Sequence, residues 1–198
     1  MMSDDARIRY GNVAITLHWL IALGIIANIL LGLYFADLPR SDPNKFLLTQ
    51  THKSIGLTVL VLSLARVAWR LINPVPPLPA SMNGFLRFMA RTTQFLLYVL
   101  IIAIPLSGWL YVSASPLGLP TMFFGQFAWP NIPFLADLPR AQKMPLGHEF
   151  HAIHVYLAWS AIVLVPIHIL GALYHQFVRR DDVLARMLPL LARKSETL

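Results

Sequence analysis

Of 198 residues, 57% are hydrophobic and 13% charged, with a mean hydropathy of +0.60, a balance that excludes an ordinary soluble domain and assigns the chain to a bilayer. The formal charge of +7 comes from basic residues scattered at the ends of apolar runs. With no aromatic-interleaved basic groove between them, nucleic acid is excluded as a partner and membrane orientation explains the charge. Cysteine is absent, which excludes disulfides, a thioether-bound c-type haem and a Cys-held iron–sulfur cluster, so any redox centre must be held by histidine.

The first apolar run, roughly 12–36, is uncharged between Arg9 and Asp37. It is too long for a signal peptide and lacks a small-residue cleavage site, so it reads as an uncleaved first span. The second, roughly 48–72, is entered at His52 and Lys53 and closes around Arg66 and Arg70, whose stems can snorkel. Pro74, Pro76, Pro77 and Pro79 stop it, because proline lacks an amide donor and clashes with the preceding turn. The third span, roughly 92–113, carries Pro105 and has its apolar core from Gln94 to Val112. A long linker, 113–147, is rich in Pro, Gly and aromatics (Phe123, Phe124, Phe127, Trp129) and reads as an interfacial cap on the outer side. The last span, roughly 148–178, leaves the membrane at Arg179 and Arg180. The expectation is a single membrane domain over 1–198, an all-α integral membrane protein built as an antiparallel bundle of four transmembrane helices, bounded by lipid.

Orientation follows from the basic residues. Arg7, Arg9, Arg66, Arg70, Arg87, Arg91, Arg179, Arg180, Arg186, Arg193 and Lys194 fall on one side, and only Arg40, Lys45, Lys53, Arg140 and Lys143 on the other. Eleven against five puts both termini in the cytoplasm.

Histidines carry the chemistry. His154 and His168 stand fourteen residues apart in a run, Phe150 to Val178, without Asp, Glu, Lys or Arg. At helical pitch they share a face and are separated by roughly 21 Å. Under the expected topology His18 and His168 lie near the cytoplasmic side, while His52 and His154 begin their helices at the outer side. Ligating side chains at membrane depth are costly enough to imply function, and depth alone pairs His18 with His168 and His52 with His154. Two axial pairs suit two stacked haems, and filling both axial positions with neutral imidazole favours electron transfer over oxygen binding at the iron. Gly56 and Gly108 would let a porphyrin face approach the backbone, or simply let helices pack. His151 is the best substitute for His154, though about 100° off the face shared with His168; His148 reads as interfacial. His175, on the same stripe as His168, suits a contact to a quinone or a haem propionate, or to the last helical carbonyls. Arg66 and Arg70 are further candidates for propionate or quinone contacts.

These residues resemble the bacterial cytochrome b561 family. The resemblance runs through Thr16-Leu17-His18-Trp19-Leu20, then Pro39-Arg40-Ser41-Asp42 leading into Thr51-His52-Lys53-Ser54-Ile55-Gly56. It continues through Arg66, Arg70 and the Pro74-Val75-Pro76-Pro77 exit to His154, His168, His175 and the tail from Asp182 to Pro189. It implies a multi-pass protein of the bacterial inner membrane with two b haems, their iron ligated by His18, His52, His154 and His168, exchanging electrons with ubiquinone. It also implies superoxide as a candidate donor, oxidised at the outer face. Arg40, Lys45, Lys53, Arg140 and Lys143 would then draw the anion, although Asp37, Asp42, Asp137 and Glu149 nearly offset them. Where family members often have a His-Glu pair at the outer ligand of the fourth helix, here Val155 follows His154 and the nearby pair is His148-Glu149. Extra histidines at 148 and 151 could replace or support His154.

Other classes compete with a superoxide:ubiquinone oxidoreductase. A cytochrome b subunit of a dehydrogenase or hydrogenase would use the 113–147 linker as a docking surface for a redox protein partner. A non-redox anchor or transporter would use histidines in a proton path, whereas a zinc or copper site is disfavoured by ligands split between two depths.

Overall fold

The computed structural model describes residues 9–79 and 82–191. Among the described residues four helices are long and apolar enough to cross a membrane. They are α1 (Asn12–Asp37), α2 (Lys45–Ile72), α3 (Gly84–Ser113) and α5 (Arg140–Tyr174). A π-helical turn, His175–Arg179, extends α5. Between α3 and α5 lie two short strands, β1 (Thr121–Phe123) and β2 (Phe127–Trp129), and a single turn, α4 (Pro133–Ala136).

The bundle is apolar outside and partly polar inside. Leu23, Leu30, Val61 and Val163 are exposed on helix faces, while Ser54, Ser63, Ser107 and Gln50 are buried. A lipid-facing surface accounts for this inversion, since helix association in hydrocarbon relies on close packing and buried hydrogen bonds. Two helix pairs form the frame. Ile21 and Ile25 of α1 pack with Val59 of α2, and Leu100 and Ile104 of α3 pack with Ala161 of α5. At Gly24 a Cβ would come within 2.8 Å of Val59 Cγ2, so the α1–α2 approach depends on glycine. Histidines face one another across the seam between the pairs.

Helix boundaries exceed the apolar runs in two places. The third helix begins at Gly84, where the Asn83 side chain accepts from Leu86 N, rather than near residue 92. The last begins at Arg140 rather than 148, taking Lys143 and Pro145 into its first turns. Hydropathy marks where lipid starts, not where the helical backbone starts. The outer linker is correspondingly shorter and contains an antiparallel hairpin, the one β element among the described residues. Phe124 (φ 45°) and Gly125 (φ 74°) form its left-handed turn. The hairpin is bound to α2: Gln50 Nε2 donates to Pro120 O and Met122 N donates to Gln50 Oε1. Ser54 Oγ accepts from Phe124 N at 2.9 Å and donates to Gln50 O.

After Arg180, itself left-handed at φ 54°, the chain turns back under the bundle. Trp19 Nε1 donates to Met187 O at 2.8 Å, and Arg186 bonds Asp182 and the Pro77 carbonyl, so the tail is fastened to α1 and to the α2–α3 loop. Arg7, Arg193 and Lys194, which entered the orientation count, lie outside the described residues.

Candidate functional site

Each of the four aligned histidines sits on a different helix or at a different depth, and the fold joins them two by two. The rings of His52 (α2) and His154 (α5) have centroids 6.1 Å apart, crossed at 84°. Those of His18 (α1) and His168 (α5) are 6.2 Å apart, crossed at 77°. Both separations are too long for a direct ring-to-ring hydrogen bond. A metal–imidazole bond of about 2 Å on each side, with ~1.1 Å from each nitrogen to its ring centre, gives roughly 6.2 Å, so the spacing suits one metal ion between each pair. Among the described residues no three metal-ligating side chains converge. A centre held here needs only two protein ligands and must bring its own equatorial donors, which is what a haem does.

The outer pair is held firmly. His52 Nδ1–H donates to Asn28 O at 3.2 Å. His154 Nδ1–H donates to Ile104 O at 2.9 Å, with Ser107 Oγ 3.1 Å away. These bonds direct Nδ1 toward protein and leave Nε2 for a metal. Added Cβ atoms at Gly32 and Gly108 would meet His52 Cε1 and His154 Cε1 at 3.1 Å each. Gly108 therefore makes room for the imidazole itself, and Gly32, which pattern reading passed over, does the same. At Gly56 an added Cβ would instead meet Asn28 Nδ2 at ordinary contact distance, 3.5 Å, and no histidine.

His151 is turned elsewhere, its ring 5.0 Å from that of Tyr111, and His148 is exposed near the start of α5. The structure brings neither to His52. His175 is buried and bonded through Nδ1 to Asp181 Oδ2 at 2.7 Å. Arg66 donates to Ala14 O at 2.7 Å and lies within electrostatic reach of both His18 and His168. Arg66 and Arg70 also stand over the Tyr98 ring, 5.6 and 5.0 Å from its centroid. Tyr98, Asn28, Ser107, Gln50 and Ser54 were not singled out by sequence. The available signal was a polar side chain inside an apolar span, which must find a partner.

A four-helix membrane bundle in which α1, α2 and α5 bring imidazoles face to face at metal-bridging distance has the architecture of a membrane cytochrome. The chain belongs to the prokaryotic cytochrome b561 family, whose description matches residues 9–190. Cytochrome b561 homolog 2 of Escherichia coli K12 is 38% identical over 181 residues, covering 91% of both chains. A protein named probable superoxide oxidase CybB, from Yersinia pestis, is 26% identical and covers 91% of this chain and 96% of its own. Cytochrome b562 of Cereibacter sphaeroides is 28% identical, covering 90% and 94%. The chain is thus a multi-pass membrane cytochrome of an electron-transfer family that binds b-type haem.

Proposed function

We propose that this cytochrome carries electrons across a bacterial inner membrane from an outer-side donor to ubiquinone through two b haems. His52 and His154 would ligate the outer iron, and His18 and His168 the inner. The carrying observation is the pair of centroid separations, 6.1 and 6.2 Å, at two depths along α5. Superoxide is the donor we favour, supported by the name of the Yersinia relative. Two superoxide anions would each give up one electron and leave as O2, and one quinone would take both electrons and two protons to become a quinol. The protein contributes ligation, spacing and a low-dielectric surround.

A pyridine haemochrome assay on detergent-purified protein gives haem type and haem per polypeptide. Stopped-flow mixing with superoxide then reads the donor. The expected result is a ratio close to two b haems, with reduction by superoxide in the absence of any partner. One haem per chain would remove a pair from the scheme. Full loading without reduction by superoxide would favour a redox protein as donor, for which exposed Leu117, Phe124 and Phe127 on the outer cap offer an apolar surface.

A further inference from the structure

The chain does not leave the bundle where α5 ends. After the π-helical turn His175–Arg179, Arg180 reverses the backbone at φ 54°, a left-handed conformation that a residue with a Cβ adopts only at a cost. Side chains hold the reversal. His175 Nδ1–H donates to Asp181 Oδ2 at 2.7 Å, and Asp181 Oδ1 accepts from Val183 N at 3.2 Å. Arg186 places Nε and Nη2 each 3.1 Å from a carboxylate oxygen of Asp182, and its Nη1 bonds the Pro77 carbonyl. The helical turn that follows closes with Leu188 N on Leu184 O, which leaves the Met187 carbonyl among the open acceptors of a turn's end. Trp19 fills it: the indole Nε1–H donates to Met187 O at 2.8 Å, from 168 positions away along the chain. We propose that this folded-back tail positions the inner redox centre, holding the Trp19 indole so that Trp19 in turn fixes the plane of the His18 imidazole. The inference rests on the two-haem reading above, with His18 as an inner ligand.

A ligating imidazole has to be held in orientation as well as in place. In the outer pair a backbone carbonyl does this for each ring, Asn28 O for His52 and Ile104 O for His154. The carbonyl one turn before His18, that of Ala14, is occupied by Arg66 Nη1 at 2.7 Å. What lies against the His18 ring is the Trp19 indole, edge to face, with centroids 5.3 Å apart and planes at 66°. Trp19 is itself 37% exposed, so packing alone leaves it more than one rotamer, and the bond to Met187 O selects one of them. The tail can hold the indole because it is fastened in turn, to the end of α5 at His175 and to the α2–α3 loop at Pro77, with Ala185 buried between. Orientation thus passes from the tail to Trp19 and from Trp19 to His18, whose ring stands crossed at 77° to that of His168.

The test is electron paramagnetic resonance of oxidised, haem-loaded full-length protein, because the largest g value of a low-spin ferric haem falls as its two axial imidazoles turn from crossed toward parallel. Each haem gives its own signal, so the outer one serves as internal reference. Trp19→Phe keeps a ring beside His18 and removes the N–H, whereas Arg186→Gln loosens the tail without touching α1. Loss of one net hydrogen bond should raise the released population about fivefold. The expected result in both variants is a broadened inner signal with a lowered largest g value, an unmoved outer signal and wild-type haem content. The double variant should move the inner signal no further than Trp19→Phe alone, because the tail acts through the indole. Unmoved signals in both single variants overturn the role and leave Trp19 as an interfacial anchor. A shift in only one of them, or additive shifts in the double variant, overturns the route from tail to Trp19 to His18. Equal shifts of both haems overturn it as a general loosening of the bundle. Should Trp19→Phe fail to fold, Arg186→Gln alone decides by the same signal. A single low-spin signal in wild type overturns the two-haem reading and this role with it.

Discussion

The outer and inner histidine pairs have nearly equal spacing and quite different surroundings. Each outer imidazole donates its Nδ1 proton to a backbone carbonyl, and the hairpin bound to α2 covers that end of the bundle. Among the described residues neither His18 nor His168 has a hydrogen-bond partner on its ring. The Arg66 charge lies within electrostatic reach of both. A hydrogen bond from a ligating histidine to a carbonyl raises its basicity and stabilises an oxidised metal. A nearby cation instead stabilises the form carrying the extra electron. With a haem at each pair, as proposed, the two surroundings would push electrons the same way, from the outer pair to the inner, without any difference in ligand type.

Ligand removal separates the pairs most sharply. His168→Ala should halve the haem-to-protein ratio by emptying the inner position, and His154→Ala should do so by emptying the outer; retention of full haem in either variant sinks the pairing. A subtler change leaves both pairs intact. Arg66→Gln should lower the midpoint potential of the inner component on the order of 50 mV and leave the outer component in place. Spectroelectrochemical titration resolves the two, and a shift confined to the outer component would refute the electrostatic contrast. The smallest effect concerns the cap. Ser54→Ala leaves the Phe124 amide without its acceptor, at a cost of about 1–3 kcal/mol. Limited proteolysis within 115–131 should become faster while the haem spectrum holds, and unchanged cleavage would mean the hairpin is secured by other contacts.

Spans and the facing of the histidines were legible in the sequence because both depend on depth, and depth is counted directly along apolar helices. His18 with His168 and His52 with His154 are the partners that depth predicted and the structure brings together. The hairpin was not legible beyond an interfacial cap. Its strands are three residues each, and what fixes them is a pair of side chains, Gln50 and Ser54, on another helix some seventy positions away. His175 shares the His168 stripe, but the left-handed turn at Arg180 brings Asp181 back to it, a contact that helical periodicity cannot register. Gly32 escaped notice for a related reason: its partner is a ring carried by α2, so no local pattern on α1 marks it.

Both pairs share α5, which supplies His154 to one and His168 to the other, while their opposite ligands come from separate helices. The helix is a ruler common to both histidine pairs. In the proposed two-haem scheme, substitutions on α1 or α2 would retune one centre's affinity for electrons, while the length of the jump between the centres would stay fixed by fourteen residues of a single rod. Under that scheme driving force and distance, the two quantities that govern how fast an electron crosses, would be assigned to different parts of the chain and could change independently.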